Sequence, residues 1–135
     1  MNGPEIVRIA VDRILADRRR WDQSTFGIEF HWDGNDCIHV CSTAFCVGGH
    51  MAITCGFQPT DLGALKACSR AGIPVFGAGQ WLFEKDRNLG EIVAFAKHYL
   101  AKGNAIEAES YARRYGTSFP IAKDARCLAD IPFRD

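Results

Sequence analysis

The chain has 135 residues and a mass of 15.0 kDa, enough for one domain that buries about two-thirds of its unfolded surface. Lys plus Arg and Asp plus Glu both number 16, so no overall field draws the chain to nucleic acid or to membranes. Hydrophobic residues make up 47%, yet no apolar run reaches the roughly 20 residues that cross a bilayer. We therefore predict a single globular domain over residues 1–135, without a membrane or a specific nucleic-acid partner.

The six cysteines bear on whether the protein resides in a reducing or an oxidising compartment. The segment Met1–Glu5 lacks the basic-then-apolar pattern of a secretory signal, so we expect a cytoplasmic protein with reduced thiols. In a reducing environment such thiols are buried, metal-bound or catalytic rather than paired.

The first element is predicted to be a helix over residues 4–19. Pro4 and Glu5 suit its first turn, and the arginines at 18–20 suit its C-terminal end. Its core stripe follows helical spacing: Val7, Ala10, Val11, Ile14 and Leu15.

Two alternating segments around an Asp-Gly-Asn-Asp turn predict a β-hairpin over about residues 26–41. A three-residue loop, 34–36, would match the apolar side chains, with Trp32 opposite Ile38. On the other face this register sets His31 opposite His39, and Glu29 opposite Cys41. The hairpin would then display imidazoles, thiols and a carboxylate together.

The stretch from Cys37 to Gly56 has no charged side chain and holds four of the six cysteines. Ser42 or Thr43 could cap a helix there, and Gly56 could end it, which predicts a helix over about residues 43–55. Gly48 and Gly49 disfavour a helix unless another element approaches closely, so we expect this helix to be central.

Helices dominate the second half. One is predicted from Pro59 to Gly72 and a short one at residues 80–83, and two longer ones cover about 88–103 and 104–116, each with a capping pattern. The last two should form a helical hairpin, followed by a largely irregular tail over 117–135. The predicted fold class is α+β and mainly helical, with the β-hairpin of about 26–41 packed on the central helix of about 43–55.

One interpretation of the central stretch is a zinc site. Cys46 and His50 lie four apart on the predicted helix, and Cys37 with Cys41 could complete a tetrahedral set. The spacing matches no standard zinc module, and buried thiols that act as small hydrophobic groups explain the pattern as well. No cofactor is favoured, and zinc is the alternative.

A second interpretation is a cysteine nucleophile. A thiol near a helix N-terminus is stabilised as thiolate by the helix dipole, which favours Cys41 or Cys46. His50 or His39 could serve as the base and Glu29 could orient it. His31 is a third possible base. Each of these side chains also has a structural role open to it.

Three segments carry a resemblance: Trp21-x-Gln23, then Cys41-Ser-Thr-Ala-Phe-Cys46-Val-Gly-Gly-His50, then Leu82-Phe83. In this order they resemble small uncharacterised proteins of actinobacteria and their phages. Ser42 and Gly48 stand where that pattern usually has Gly and Ala. The resemblance implies a mobile-element context and no particular reaction.

The functional expectation is therefore a small intracellular binding or accessory protein, encoded by a phage or another mobile element, whose partner is a host protein or a small signalling molecule. A cysteine-dependent enzyme using Cys41 or Cys46 is the first alternative, and a zinc-stabilised interaction module is the second.

Overall fold

The computed structural model describes residues 1–23, 28–33, 36–41 and 46–133, with the backbone alone for the two strands. Its α-helices are α1 (Gly3–Ala16), α2 (Val47–Thr54), α3 (Asp61–Arg70), α4 (Gln80–Phe83), α5 (Leu89–Lys102) and α6 (Ala105–Tyr115). The strands are β1 (Ile28–Asp33) and β2 (Asp36–Cys41). In the described ranges no helix is long and apolar enough to cross a membrane.

The predicted α+β class is wrong, because the packed body of the described chain consists of helices. Helix α1 contacts α2 and α5, α2 contacts α3, and α5 contacts α6. The strands contact mainly each other, so they do not form the layer that we predicted against the central helix. An alternating pattern predicts extended backbone locally, but it does not show which element covers the apolar face.

The predicted register is also wrong. Asp33 pairs with Asp36, so only two residues connect the strands, the length that tight hairpins favour. Trp32 then lies opposite Cys37, and His31 opposite Ile38 rather than His39. The expected pairing of two imidazoles across the strands is therefore absent from the described backbone.

Helix α1 begins where the sequence predicts, because the Asn2 side chain accepts a hydrogen bond from the Glu5 N–H at 2.9 Å. It ends at Ala16, three residues early, since Asp17 is extended and caps a 3₁₀ turn over Arg18–Arg20. The predicted core stripe is confirmed: all five of its residues are buried.

Helix α2 is buried from Val47 to Ala52 and half-buried at its last two residues, in keeping with its lack of charge. It begins at Val47, because Cys46 is extended, so the predicted start near residue 43 is wrong. The proposed caps Ser42 and Thr43 lie outside the described residues. Helix α3 packs on α2 at Gly63, where a Cβ would lie 3.4 Å from the Ala52 Cβ and 1.9 Å from the carbonyl oxygen of Gln58 in the preceding connection.

Helices α5 and α6 form the predicted helical hairpin. The Asn88 and Glu91 side chains each accept a hydrogen bond from the other residue's backbone N–H, and Gly103 ends α5 with a φ of 71°. Asn104 caps α6 by accepting from the Glu107 N–H. The capping patterns of the sequence are confirmed here.

The segment after α6 is irregular but packed. Its only regular pieces within the described range are 3₁₀ turns at Gly116–Ser118 and Leu128–Asp130. The Leu128 N–H donates to Asp12 Oδ1 of α1 at 2.8 Å, and Lys97 Nζ of α5 donates to the Leu128 carbonyl at 3.2 Å. Four of its side chains belong to the core: Phe119, Ala125, Leu128 and Ile131.

Candidate functional site

The buried side-chain amide of Gln23 connects the segment before β1 to α2 and α4. Gln23 Nε2 donates to the carbonyl oxygens of Leu82 and Glu84, both at 2.9 Å. Its Oε1 accepts from Trp21 Nε1 at 3.0 Å and from the Val47 N–H at 3.4 Å. Four bonds satisfy the amide completely. The Trp-x-Gln and Leu-Phe segments of the resemblance thus meet at one structural network.

His50 is fully buried on α2, and its ring is held by the 3₁₀ turn that follows α1. Its Nε2 lies 2.8 Å from the Arg20 carbonyl oxygen, an acceptor, so Nε2 carries the proton. Burial lowers the pKa of His50 to about 4, and the cations of Arg13 and Arg20 add to the shift. The imidazole is neutral at physiological pH.

Cys46 is the N-cap residue of α2 and is 1% exposed. Burial raises the pKa of its thiol to about 11, although the N–H groups of Gly48 and Gly49 act in the opposite direction. The dipole effect on which the nucleophile interpretation depends is therefore outweighed by desolvation. Cys46 and His50 are both neutral at pH 7, unlike a thiolate–imidazolium pair.

The remaining candidates lie on the two strands. Cys37, His39 and Cys41 lie on β2 and Glu29 lies on β1, where the side chains are outside the described part of the structure. Among the described residues, no three His, Cys, Asp or Glu side chains are grouped so that they could hold a metal ion. The zinc interpretation therefore stays a prediction.

Cys68 of α3 also belongs to the core. Its Sγ donates to the Ile73 carbonyl oxygen at 3.2 Å, and burial raises the pKa of the thiol to about 11. A Cβ on Gly79 would lie 2.6 Å from this sulfur, so the segment 75–79 is held closely against α3. Cys55 is half-buried, with its pKa raised by burial.

That closely held segment presents an exposed aromatic ring. Val75–Gly79 is an irregular helical turn in which Phe76 and Gly77 have non-helical backbone angles. Ala78 and Gly79 are buried, whereas Phe76 is 94% exposed. This exposure leaves a large aromatic area in water, which burial against another surface would stabilise.

Phe76 borders a groove of about 290 Å³ between α3 and α4, lined by Leu65, Val75, Phe76, Gln80, Phe83 and Glu84. Leu65 is 40% exposed, and Leu62, one turn earlier on α3, is 59% exposed. We call the surface of Leu62, Leu65, Val75, Phe76 and Phe83 the apolar strip. Leu62, Leu65 and Phe76 are exposed, and Val75 and Phe83 are half-buried beside them. Neighbouring apolar surface that is open to solvent marks interaction sites.

The strip continues past Leu62 to a second hollow, of about 340 Å³, where α3 begins. Leu62 and Lys66 line it together with Phe57, Gln58 and Thr60. The cations of Lys66 and Arg70 lie 5.8 and 5.5 Å from the centre of the Phe57 ring. One end of the strip is therefore basic.

Spacing and composition alone do not predict this surface. Leu62 and Leu65 fall within the helix predicted from Pro59 to Gly72, and Val75 and Phe76 fall in the stretch between two predicted helices. A large aromatic residue directly before a Gly-Ala-Gly run is a signal that could have indicated an exposed turn.

No protein-family model, curated protein or solved structure matches this chain. The resemblance to small actinobacterial and phage proteins stays a prediction, and functional inference depends on the geometry above.

Proposed function

We propose that this protein is a non-enzymatic binding protein that holds a partner protein on the apolar strip. The observation that carries the proposal is the 94% exposed side chain of Phe76, displayed at the edge of the groove by a turn whose neighbours are buried. Exposed aromatic anchors next to apolar pockets dominate the binding energy of protein interfaces.

A protein partner fits this surface better than a small signalling molecule does. Small-molecule sites enclose most of their ligand, whereas Phe76 points outward and the groove is shallow and short of polar groups. One apolar segment of a partner protein could both cover Phe76 and fill the groove. The mobile-element context implied by the resemblance makes a host protein the expected partner.

The cysteine-dependent enzyme and the zinc-stabilised module find no support in the described residues. Cys46 is a buried, neutral thiol, and His50 is held through Nε2 by a backbone carbonyl. The four cysteines with described side chains are free thiols, which supports the proposal of a reducing, cytoplasmic location.

Quantitative capture from a lysate of the organism that encodes the protein tests the proposal. Immobilised parent protein is compared with Phe76→Asp and with the matched control Ile106→Asp, whose side chain is 69% exposed on α6. We expect one protein to be retained by the parent and the control, and lost with Phe76→Asp. Equal recovery on all three surfaces, or turnover of a substrate by the purified protein, would contradict the proposal.

A further inference from the structure

The two ends of the apolar strip carry opposite charge. At the basic end, Lys66 and Arg70 are exposed, with their cations over the Phe57 ring. At the other end, Glu84 lines the groove and is 47% exposed. The described residues thus provide an apolar surface with a cationic end and an acidic end.

The acidic end keeps its charge despite a nearby arginine. Arg87 forms its shortest ion pair, 2.7 Å, with Glu91, and lies 3.3 Å from Glu84 and 3.5 Å from Asp86. Because the buried Glu91 matches the charge of Arg87, the exposed Glu84 and Asp86 outnumber the exposed Lys85 between them, which leaves a net negative charge along residues 84–87.

A surface of this kind is complementary to itself. A two-fold rotation about its middle superposes apolar on apolar and brings each acidic end onto a basic end, as an isologous interface requires. We propose that a second copy of this chain covers the apolar strip, with Phe76 of each copy in the groove of the other and Lys66 facing the partner copy's Glu84.

This inference depends on the same surface as the proposed function but does not require it to be right. A dimer would occlude the strip, so a partner protein would bind only after the two copies separate. Self-association would then set the concentration below which the binding surface becomes free.

Sedimentation velocity from 10 µM to 1 mM, together with light scattering, tests the dimer. The strip is small, so we expect a weak dimer, with a Kd of about 100 µM. Phe76→Asp should weaken it by more than tenfold, whereas Ile106→Asp should leave it unchanged. Circular dichroism checks that each variant is folded, and both side chains are largely exposed.

Charge reversal tests the two-fold arrangement separately. Lys66→Glu and Glu84→Lys each turn two attractive contacts into repulsive ones, so each alone should weaken the dimer by about tenfold. The double variant exchanges the charges of the two ends. It should regain most of the parent's affinity, because residue 66 of one copy again faces an opposite charge at residue 84 of the other.

Loss in both single variants with recovery in the double variant supports the inference. A chain that is monomeric up to 1 mM, a dimer insensitive to Phe76→Asp, or a double variant without recovery overturns it. A monomer leaves Phe76-dependent capture of another protein to stand as the proposed function. Absence of such capture at concentrations where the dimer has dissociated contradicts the proposed function alone.

Discussion

Replacing Gln23 with Glu tests the buried network with almost no change of shape. The acceptor side survives, because one carboxylate oxygen can still accept from Trp21 Nε1 and the Val47 N–H. The donor side is lost, because the second oxygen replaces an N–H₂ group that donates to two carbonyls 2.9 Å away. Three oxygens then face one another in a buried site.

The expected cost follows from the bonds removed. Two hydrogen bonds contribute about 2 kcal/mol together, and burying an uncompensated carboxylate adds about 1–3 kcal/mol. We therefore expect Gln23→Glu to lower the free energy of unfolding by about 3–5 kcal/mol at pH 8. In a chain of this length that corresponds to a melting temperature at least about 10 °C lower.

The sign of the pH dependence is specific to this geometry. Burial and the facing carbonyls favour the protonated acid, so the folded-state pKa of the introduced Glu lies above its unfolded value of about 4.3. Its contribution to stability is then greatest below that value and is lost as the pH rises through the folded-state pKa. The difference between variant and parent should be smaller at pH 5 than at pH 8.

Urea unfolding followed by circular dichroism and tryptophan fluorescence measures these differences. Gln80→Glu is the matched control, because Gln80 is exposed, and it should stay within about 0.5 kcal/mol of the parent. A Gln23→Glu variant as stable as this control, or one whose deficit is the same at both pH values, would refute the network.

Further predictions concern the buried groups around α2. The folded-state pKa of His50, about 4, lies below its unfolded 6.5, so stability should fall by about 3 kcal/mol as the pH drops from 6.5 to 4. Urea midpoints of the parent and His50→Gln across this range should show a shallower slope in the variant. Cys46→Ala should lower the free energy of unfolding by about 1 kcal/mol, and Cys46→Ser by less, because a serine hydroxyl at this N-cap can accept from the N–H groups of Gly48 and Gly49; thermal melts that match the parent's together with lost function would show a nucleophile instead. Gly63→Ala should cost about 2 kcal/mol by denaturant titration, since its Cβ meets the Gln58 carbonyl, and no loss would contradict the close packing of α3. Metal analysis of purified protein should find no stoichiometric zinc, and a chelator should leave the melting temperature unchanged; one zinc per chain would support the metal interpretation.

The sequence predicts an element well where its own residues define its ends. Helix α5 has a capping box at Asn88 and a left-handed glycine at Gly103, both local to the chain. Helix α1 likewise shows its core stripe in its own spacing. These features require no knowledge of the rest of the fold.

Features that depend on distant residues escaped prediction. Helix α2 starts at Val47, whose N–H bonds to Gln23, a partner 24 residues earlier. The register of the strands follows the short connection rather than the apolar matching that we used. Spacing also could not show that burial would outweigh the helix dipole at Cys46.

The apolar strip could not be predicted from the sequence for a similar reason. An apolar residue in a connector is ordinarily assigned to the core, and the exposure of Phe76 follows from the irregular backbone of Val75–Gly79 and from the buried Ala78 and Gly79 beside it. The apolar residue types of this surface can be read from the sequence, but their exposure side by side depends on how the chain folds.

Site-specific photo-cross-linking tests the central claim most directly. A benzoylphenylalanine at position 76, expressed in the native cell, is compared with the same group at position 106, which is exposed elsewhere on the molecule. We predict that light yields a discrete adduct with another protein from position 76 and not from position 106. Equal, diffuse labelling from both positions, or no adduct from position 76, would contradict a binding role for the apolar strip.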